Sequence, residues 1–172
     1  MSLSKLKKPI IPRELTPLNS INVDEEDPYI HLVEISNCSI MEEEIHKASF
    51  EQVIFNHVKF TDVTFNNIEF TDVIFNNCDL SNADFSKAVI HRVEFKESKT
   101  VGLNLSESTL QNVVFNDCNS NLISFGYAKL KQVKFNGTSL RNADFYEANI
   151  SNIEFHHCDL NEANLTGAPL NG

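Results

Sequence analysis

The sequence predicts an all-β chain wound as a right-handed quadrilateral β-helix, about seven coils of twenty residues each. Three observations predict it. All thirteen Phe fall at multiples of five, from Phe50 to Phe155, and the other multiples of five from 30 to 170 are Leu or Ile except Thr100 and Ser120. Two residues before each stands a small or β-branched residue, as in Val53, Val58, Val63, Cys78, Ala83 and Ala88. The columns also repeat modulo twenty, with Phe55, Phe75, Phe95, Phe115, Phe135 and Phe155 standing over Val53, Val73, Val93, Val113, Val133 and Ile153.

A period of five fits neither a helix at 3.6 residues per turn nor a strand at two. It fits a chain that turns a corner every five residues and closes a square every twenty. In each unit the large central residue and the small one before it point inward, and the other three face out or form the corner. Ordering five residues costs about 5–10 kcal/mol of backbone entropy, whereas burying one Phe and one Val returns roughly 3–5 kcal/mol. One unit is therefore unstable, and only stacked coils fold. Twenty-nine units at four to the coil make about seven coils, and at ~4.8 Å per coil the rod is about 35 Å long. Asn suits the corners, and Asn56, Asn66, Asn67, Asn76, Asn77, Asn116 and Asn136 are assigned to them.

The repeat spans residues 28–172 and is most regular from about residue 45. Residues 1–27 form a leader whose Ile10, Ile11, Leu15, Leu18 and Ile21 are expected to cap the first coil, an edge that would otherwise invite aggregation. Glu43 falls on an inward position, so an irregular or open coil is expected near residues 41–45. Thr100 and Ser120, one coil apart, read as a hydrogen-bonded polar pair in the core or as a hinge. The chain ends in register at Leu170-Asn171-Gly172, which suggests truncation or an end-to-end dimer through the C-terminal coils.

Chemistry is scarce. Cys38, Cys78, Cys118 and Cys158 are each forty residues from the next. That is two coils, about 9.6 Å, beyond the ~7 Å Cα limit of a disulfide, so they are read as inward packing residues. In His156-His157-Cys158 the thiol points inward and the imidazoles do not, which argues against a zinc site. There is no glycine-rich phosphate loop and no nucleophile–base pair. The expectation is a protein without catalytic activity, cofactor or metal.

Net charge is −10, distributed as +3 over residues 1–20, −8 over 21–44 and −5 over 45–172. Direct nucleic-acid binding is disfavoured, because phosphate contacts need clustered Lys and Arg. No apolar run approaches the ~20 residues of a membrane span, and Pro9 and Pro12 interrupt any secretory signal. A cytoplasmic protein is expected. The candidate interaction surface comprises the acidic Asp62, Asp72, Asp84, Glu94, Asp144 and Glu154 together with the outward apolar Ile54, Ile74 and Val114. The leader folding over that apolar patch is an equal alternative.

Ala83-Asp84-Phe85, Ala143-Asp144-Phe145 and Ala163-Asn164-Leu165 resemble the A(D/N)LXX consensus of the pentapeptide-repeat family. The leader with Pro9, Pro12 and Leu15, the stretch FNDCNSNLISFGYAKL at 115–130 and HHCDLNEANL at 156–165 are most similar to the Qnr-like proteins of Gram-positive bacteria. That resemblance implies a rod-shaped homodimer that imitates DNA, binds DNA gyrase or topoisomerase IV and protects it from quinolones. The competing reading is a generic interaction scaffold with an unrelated partner.

Overall fold

A computed structural model describes residues 5–21, 28–41 and 43–169. The acidic residues from Asp24 to Asp27 and the terminal Leu170-Asn171-Gly172 lie outside them. The strands are β1 (Thr16–Leu18), β2 (Tyr29–Ser36), β3 (Ser39–Met41), β4 (Glu44–His46), β5 (Ser49–Asn56), β6 (Lys59–Thr61), β7 (Thr64–Asn66), β8 (Glu69–Asn76), β9 (Val89–Lys96), β10 (Thr109–Asn116), β11 (Lys129–Asn136) and β12 (Asn149–His156). They wind as the expected right-handed quadrilateral β-helix. Between the corners, residues pair in parallel with those twenty positions on, as Val93 with Val113 and Phe95 with Phe115.

The four faces are clearest in one coil. Face one is Val89–His91, face two Glu94–Lys96, face three Lys99–Val101 and face four Asn104–Ser106, with corners at Arg92, Glu97, Gly102 and Glu107. Every one of these corner residues has φ between +49° and +66°. Bending the chain once per five residues requires this left-handed conformation, which disfavours β-branched side chains and suits Asn and Gly. Of the asparagines assigned to corners, Asn67 and Asn77 occupy them. Asn66 stands one residue earlier on face four, and Asn56, Asn76, Asn116 and Asn136 stand one residue earlier on face two and form ladders there, with Asn76 Nδ2 donating to Asn56 Oδ1 at 2.9 Å and Asn136 Nδ2 to Asn116 Oδ1 at 2.8 Å.

Faces one and two run as one eight-residue strand through their shared corner, and all seven such strands and β1 form an eight-stranded sheet. Faces three and four are shorter. From Leu80 onward their corners close with a backbone bond three residues back, such as Ala83 N–H to Leu80 C=O at 3.2 Å and Ala88 N–H to Phe85 C=O at 3.2 Å. With positive φ at the third residue, Asn82 or Lys87, this is the type II turn.

The core is continuous. Twelve of the thirteen Phe are fully buried. The column from Phe55 to Phe155 stacks with centroids 4.6–5.3 Å apart and rings within 15° of parallel, so ring spacing equals the coil rise. Cys78 and Cys118 are buried free thiols, each donating to the carbonyls two and 23 residues earlier. Burial pushes both thiols up to about 11. Cys158, only half-buried, is expected to react with a thiol reagent at pH 8 while Cys78 and Cys118 stay inert in the folded protein; mass-spectrometric mapping of the labelled sites checks this.

Thr100 and Ser120 form the buried polar pair, Oγ1 to Oγ at 2.6 Å. Their columns show the reason for the break. Where the neighbouring coils hold Leu80 with Ala83 and Leu140 with Ala143, these two hold Thr100 with Leu103 and Ser120 with Ile123. The bulky side chain has moved three residues along the coil, core volume is kept, and the vacated positions take small hydroxyls that satisfy each other. Thr100→Val alone, which leaves Ser120 without that partner, is expected to cost about 1–2 kcal/mol, and Thr100→Val with Ser120→Ala close to zero. Denaturant unfolding of the three proteins checks the non-additivity.

Glu43 does not enter the core. Its side chain is exposed, while its carbonyl still accepts from Thr64 N–H at 3.0 Å. The coil opens at that side chain without losing its ladder.

The leader divides in two. β1 pairs with β2 and extends the sheet by one rung, with Thr16 opposite Val33 and Leu18 opposite Ile35. Residues 5–13 do not cap. They run outside the rod along the corner between faces one and two, and Ile10 is 62% exposed.

Candidate functional site

The nine residues singled out from the sequence separate onto different sides of the rod. Asp72 stands at the corner between faces one and two, only 4% exposed. Arg92, one coil on, clamps it with Nε at 2.6 Å and Nη2 at 2.7 Å, and the Ile10 N–H donates to it at 2.8 Å. Burial pushes this carboxyl up, but the Arg92 guanidinium and the Ile10 amide outweigh it and hold Asp72 below the usual carboxylate range. Asp72 is thus no part of an open acidic surface, because its charge is already neutralised in a bidentate pair.

Ile54, Ile74, Val114, Glu94 and Glu154 all lie on face two, in one column. The three apolar members are half-buried. Leu6, Pro9 and Lys8 of the leader border a cavity of about 540 Å³ with Val114, Glu94 and Glu154. Of the patch, only Val114 borders the leader in this way; Ile74 and Ile54 lie two and three coils away in the same column. Glu154 is also engaged by His156 at 3.0 Å and Lys134 at 3.6 Å. From corner to corner, face two and its leader hold seven carboxylates and seven Lys or Arg among the described residues, a net charge of zero.

Asp62, Asp84 and Asp144 stand on the opposite side, on face four or its first corner. Face four with its two corners carries Glu43, Glu44, Asp62, Asp84, Glu107, Asp144, Glu147 and Glu162 against Lys47 and Lys87 among the described residues, eight carboxylates and two lysines, for a net −6. The leader, the strongly basic part of the chain, lies on the far side. This is where the structure gathers the negative charge.

The face is ordered by its own side chains. Asp84 Oδ1 accepts from Ser86 N–H at 2.8 Å and from Asn104 Nδ2 at 3.0 Å. Asp144 Oδ1 accepts from Tyr146 N–H at 3.0 Å and from Asn164 Nδ2 at 2.9 Å. Each aspartate thus uses one oxygen to fix its turn. The corner carboxylates Asp62, Glu107, Glu147 and Glu162 are exposed.

An aromatic patch sits amid this charge. Tyr127 is 60% exposed at the corner between Glu107 and Glu147, and its ring meets Tyr146 edge to face at 5.5 Å. Partial burial, Tyr146 and the carboxylates Glu147 and Asp144 push the Tyr127 phenol up. Leu122, 59% exposed, stands at the other corner of the same face. Exposed Tyr beside carboxylates suits a basic partner, through aromatic contact with guanidinium or ammonium groups and pairing to the acids. Tyr127, Tyr146, Leu122, Glu107 and Glu147 are absent from the candidates read out of the sequence. The modulo-twenty columns could have found them, since the corner positions, and the last face-four position that Tyr146 holds, are outward by construction.

Among the described residues no group of His, Cys, Asp and Glu is placed to hold a metal ion, and no helix is long and apolar enough to cross a membrane.

The uncharacterised protein YisX of Bacillus subtilis (strain 168) is 40% identical over 112 residues, 65% of this chain and 53% of that protein, so the chain spans about half the length of this curated relative. Among solved structures, HetL of Nostoc sp. strain PCC 7120, a pentapeptide repeat protein involved in heterocyst differentiation regulation, is 17% identical, with a TM-score of 0.38 over 82% of this chain and 88% of HetL. QnrB1, a plasmid-mediated fluoroquinolone resistance protein, is 14% identical in the trypsin-treated form of a point variant, with a TM-score of 0.47 over 90% of this chain and 91% of that one. Residues 29–105, 68–125 and 90–165 each match the pentapeptide repeat region. With a coil of four five-residue units, a Phe, Leu or Ile at nearly every centre and a left-handed residue at the corners, the chain belongs to the pentapeptide-repeat family.

Proposed function

We propose that this protein is a non-enzymatic, cytoplasmic DNA mimic that binds a type II topoisomerase, DNA gyrase or topoisomerase IV, and protects it from quinolones. The observation that carries the reading is the one-sided charge among the described residues: net −6 on face four and zero on face two with its leader. A basic DNA-binding surface is attracted by such a face, and the side opposite does not repel it. The six coils from Glu43 to Glu162 span about 29 Å, so this face presents roughly one net charge per 5 Å. Duplex DNA carries one per ~1.7 Å summed over its whole circumference. A single face at about a third of that density is a fair match for a partner that sees one side. The Qnr-like segment Ser124-Phe125-Gly126-Tyr127-Ala128 runs along this same face, whereas the Qnr-like leader lies on the far side. An end-to-end homodimer through the C-terminal coils would double the length of the face, and sedimentation velocity tests for it.

The decisive assay is gyrase supercoiling with purified protein, with and without a fluoroquinolone. Relief of drug inhibition near equimolar protein is expected. Unchanged supercoiling and unchanged drug sensitivity at a tenfold excess would overturn the topoisomerase reading. The Tyr127–Tyr146–Leu122 patch favours the second reading, a generic interaction scaffold, because exposed aromatic area is not something a duplex surface offers. Under that reading Tyr127→Ser abolishes binding to the cellular partner while topoisomerase activity never responds to the protein.

A further inference from the structure

Residues 5–13 are held on the rod by their main chain. Lys7 N–H donates to Asn112 Oδ1 at 3.0 Å, Ile10 N–H donates to Asp72 Oδ1 at 2.8 Å, and Gln52 Nε2 donates to the Ile10 carbonyl at 3.2 Å. All three partners belong to one corner column, the one between faces one and two. Asp72 and Asn112 are two coils apart, about 9.6 Å, and three residues of extended chain from Lys7 to Ile10 cover about 10 Å. The coil rise thus brings the corner side chains into step with an extended backbone lying along the rod axis.

Among the described residues the segment's side chains add partial burial of Leu6, Pro9, Ile11 and Pro12. Ile10 presents its side chain to solvent, the side chains of Lys5, Lys7 and Lys8 are exposed, and a cavity of about 540 Å³ remains between the segment and face two. Contacts made through amides and carbonyls are available to any extended polypeptide, as in strand addition to a sheet edge. The receiving side is preset by the rod itself, since Arg92 fixes both oxygens of the buried Asp72. Along the column and its flanks from residue 34 to 94, Glu34, Glu51, Asp72 and Glu94 face the single cation Arg92 among the described residues, which favours an occupant carrying positive charge.

We propose that this corner column is a docking track for an extended, lysine-bearing segment of another protein, and that the leader is its resident competitor. The incoming segment takes over the backbone bonds at Asn112, Asp72 and Gln52 and displaces residues 5–13, while β1 stays in the sheet. The tether gives the leader an effective concentration on the order of millimolar, so an external segment prevails only when the leader is loosened or the partner also engages elsewhere. This proposal does not depend on topoisomerase binding, which is proposed for the opposite side of the rod.

The test keeps the full chain and uses a fluorescein-labelled synthetic peptide of residues 5–14 as the probe. Lys7→Pro with Ile10→Pro removes both backbone donors from the leader and touches no core residue, so thermal unfolding should stay close to wild type. Anisotropy is expected to show the loosened chain binding the peptide at least tenfold more tightly than wild type. Adding Asn112→Ala to the loosened chain should reverse most of that gain. Equal affinity for wild-type and loosened chains, or binding indifferent to Asn112→Ala, overturns the track. A concentration-dependent dimer of the loosened chain without peptide binding also overturns it, in favour of leader exchange between two copies.

Discussion

Phe115→Ala is expected to destabilise the rod by about 4 kcal/mol, the usual scale for an aromatic deletion in a packed core. Phe115 is fully buried, stacked between Phe95 at 4.6 Å and Phe135 at 4.8 Å, with Phe125 edge-on at 6.1 Å. Its removal leaves a void that the neighbouring rings cannot close, because the strand ladder fixes each coil at its own height. The same change at Phe155, which is only partly buried and has a stacked ring on the Phe135 side at 5.3 Å, is expected to cost about half as much. In a stacked array each coil is stabilised chiefly by its neighbours. A void at mid-rod therefore weakens two interfaces at once, and the unfolding transition should broaden as the two halves lose cooperativity. Urea unfolding of both variants checks this, and equal losses at Phe115 and Phe155 would contradict it.

Reversing Asp62, Glu107 and Glu147 to Lys is expected to lower topoisomerase binding by at least tenfold without a comparable loss of stability. Each reversal changes the charge by two, so the three bring face four from −6 to zero. These side chains are exposed corner residues, unlike Asp84 and Asp144, whose oxygens fix turns, and Asp72, which is buried against Arg92. Lysine is already accommodated at this type of corner, as Lys47 and Lys87 at φ 52° and 61° demonstrate. The loss should appear mainly in the association rate and shrink as salt is raised, because long-range attraction between opposite charges is screened. Surface plasmon resonance at two ionic strengths, with supercoiling protection in parallel, separates this outcome from a scaffold reading in which the triple variant still binds its partner through Tyr127.

The fold was legible because its cause is local and repeated. A Phe, Leu or Ile every fifth residue, with a small or β-branched residue two before it, leaves one way to bury both in step, and the modulo-twenty columns appear in the register from Val33–Val53 to Val133–Ile153. The polar break was legible as a pair, Thr100 over Ser120, but its explanation was not. It lies in Leu103 and Ile123, whose size balances the loss only once the turn brings both positions into one core layer.

The outward positions were legible in the sequence, but their surroundings were not. Acidic and outward-facing apolar residues were found, yet Asp72 looked the same in sequence as Asp62, since both follow a large central residue by two. One is buried in an ion pair under the leader and the other is exposed, a difference set by Arg92 one coil away and by a segment more than sixty residues earlier in the chain. By itself the sequence determined the coil and the core columns, because both follow from contacts within a fixed twenty-residue repeat. Only the tertiary structure decided which side of the rod the described part of the leader lies against. The leader lies outside the repeat, and its place on the rod depends on hydrogen bonds and charge that no periodicity encodes.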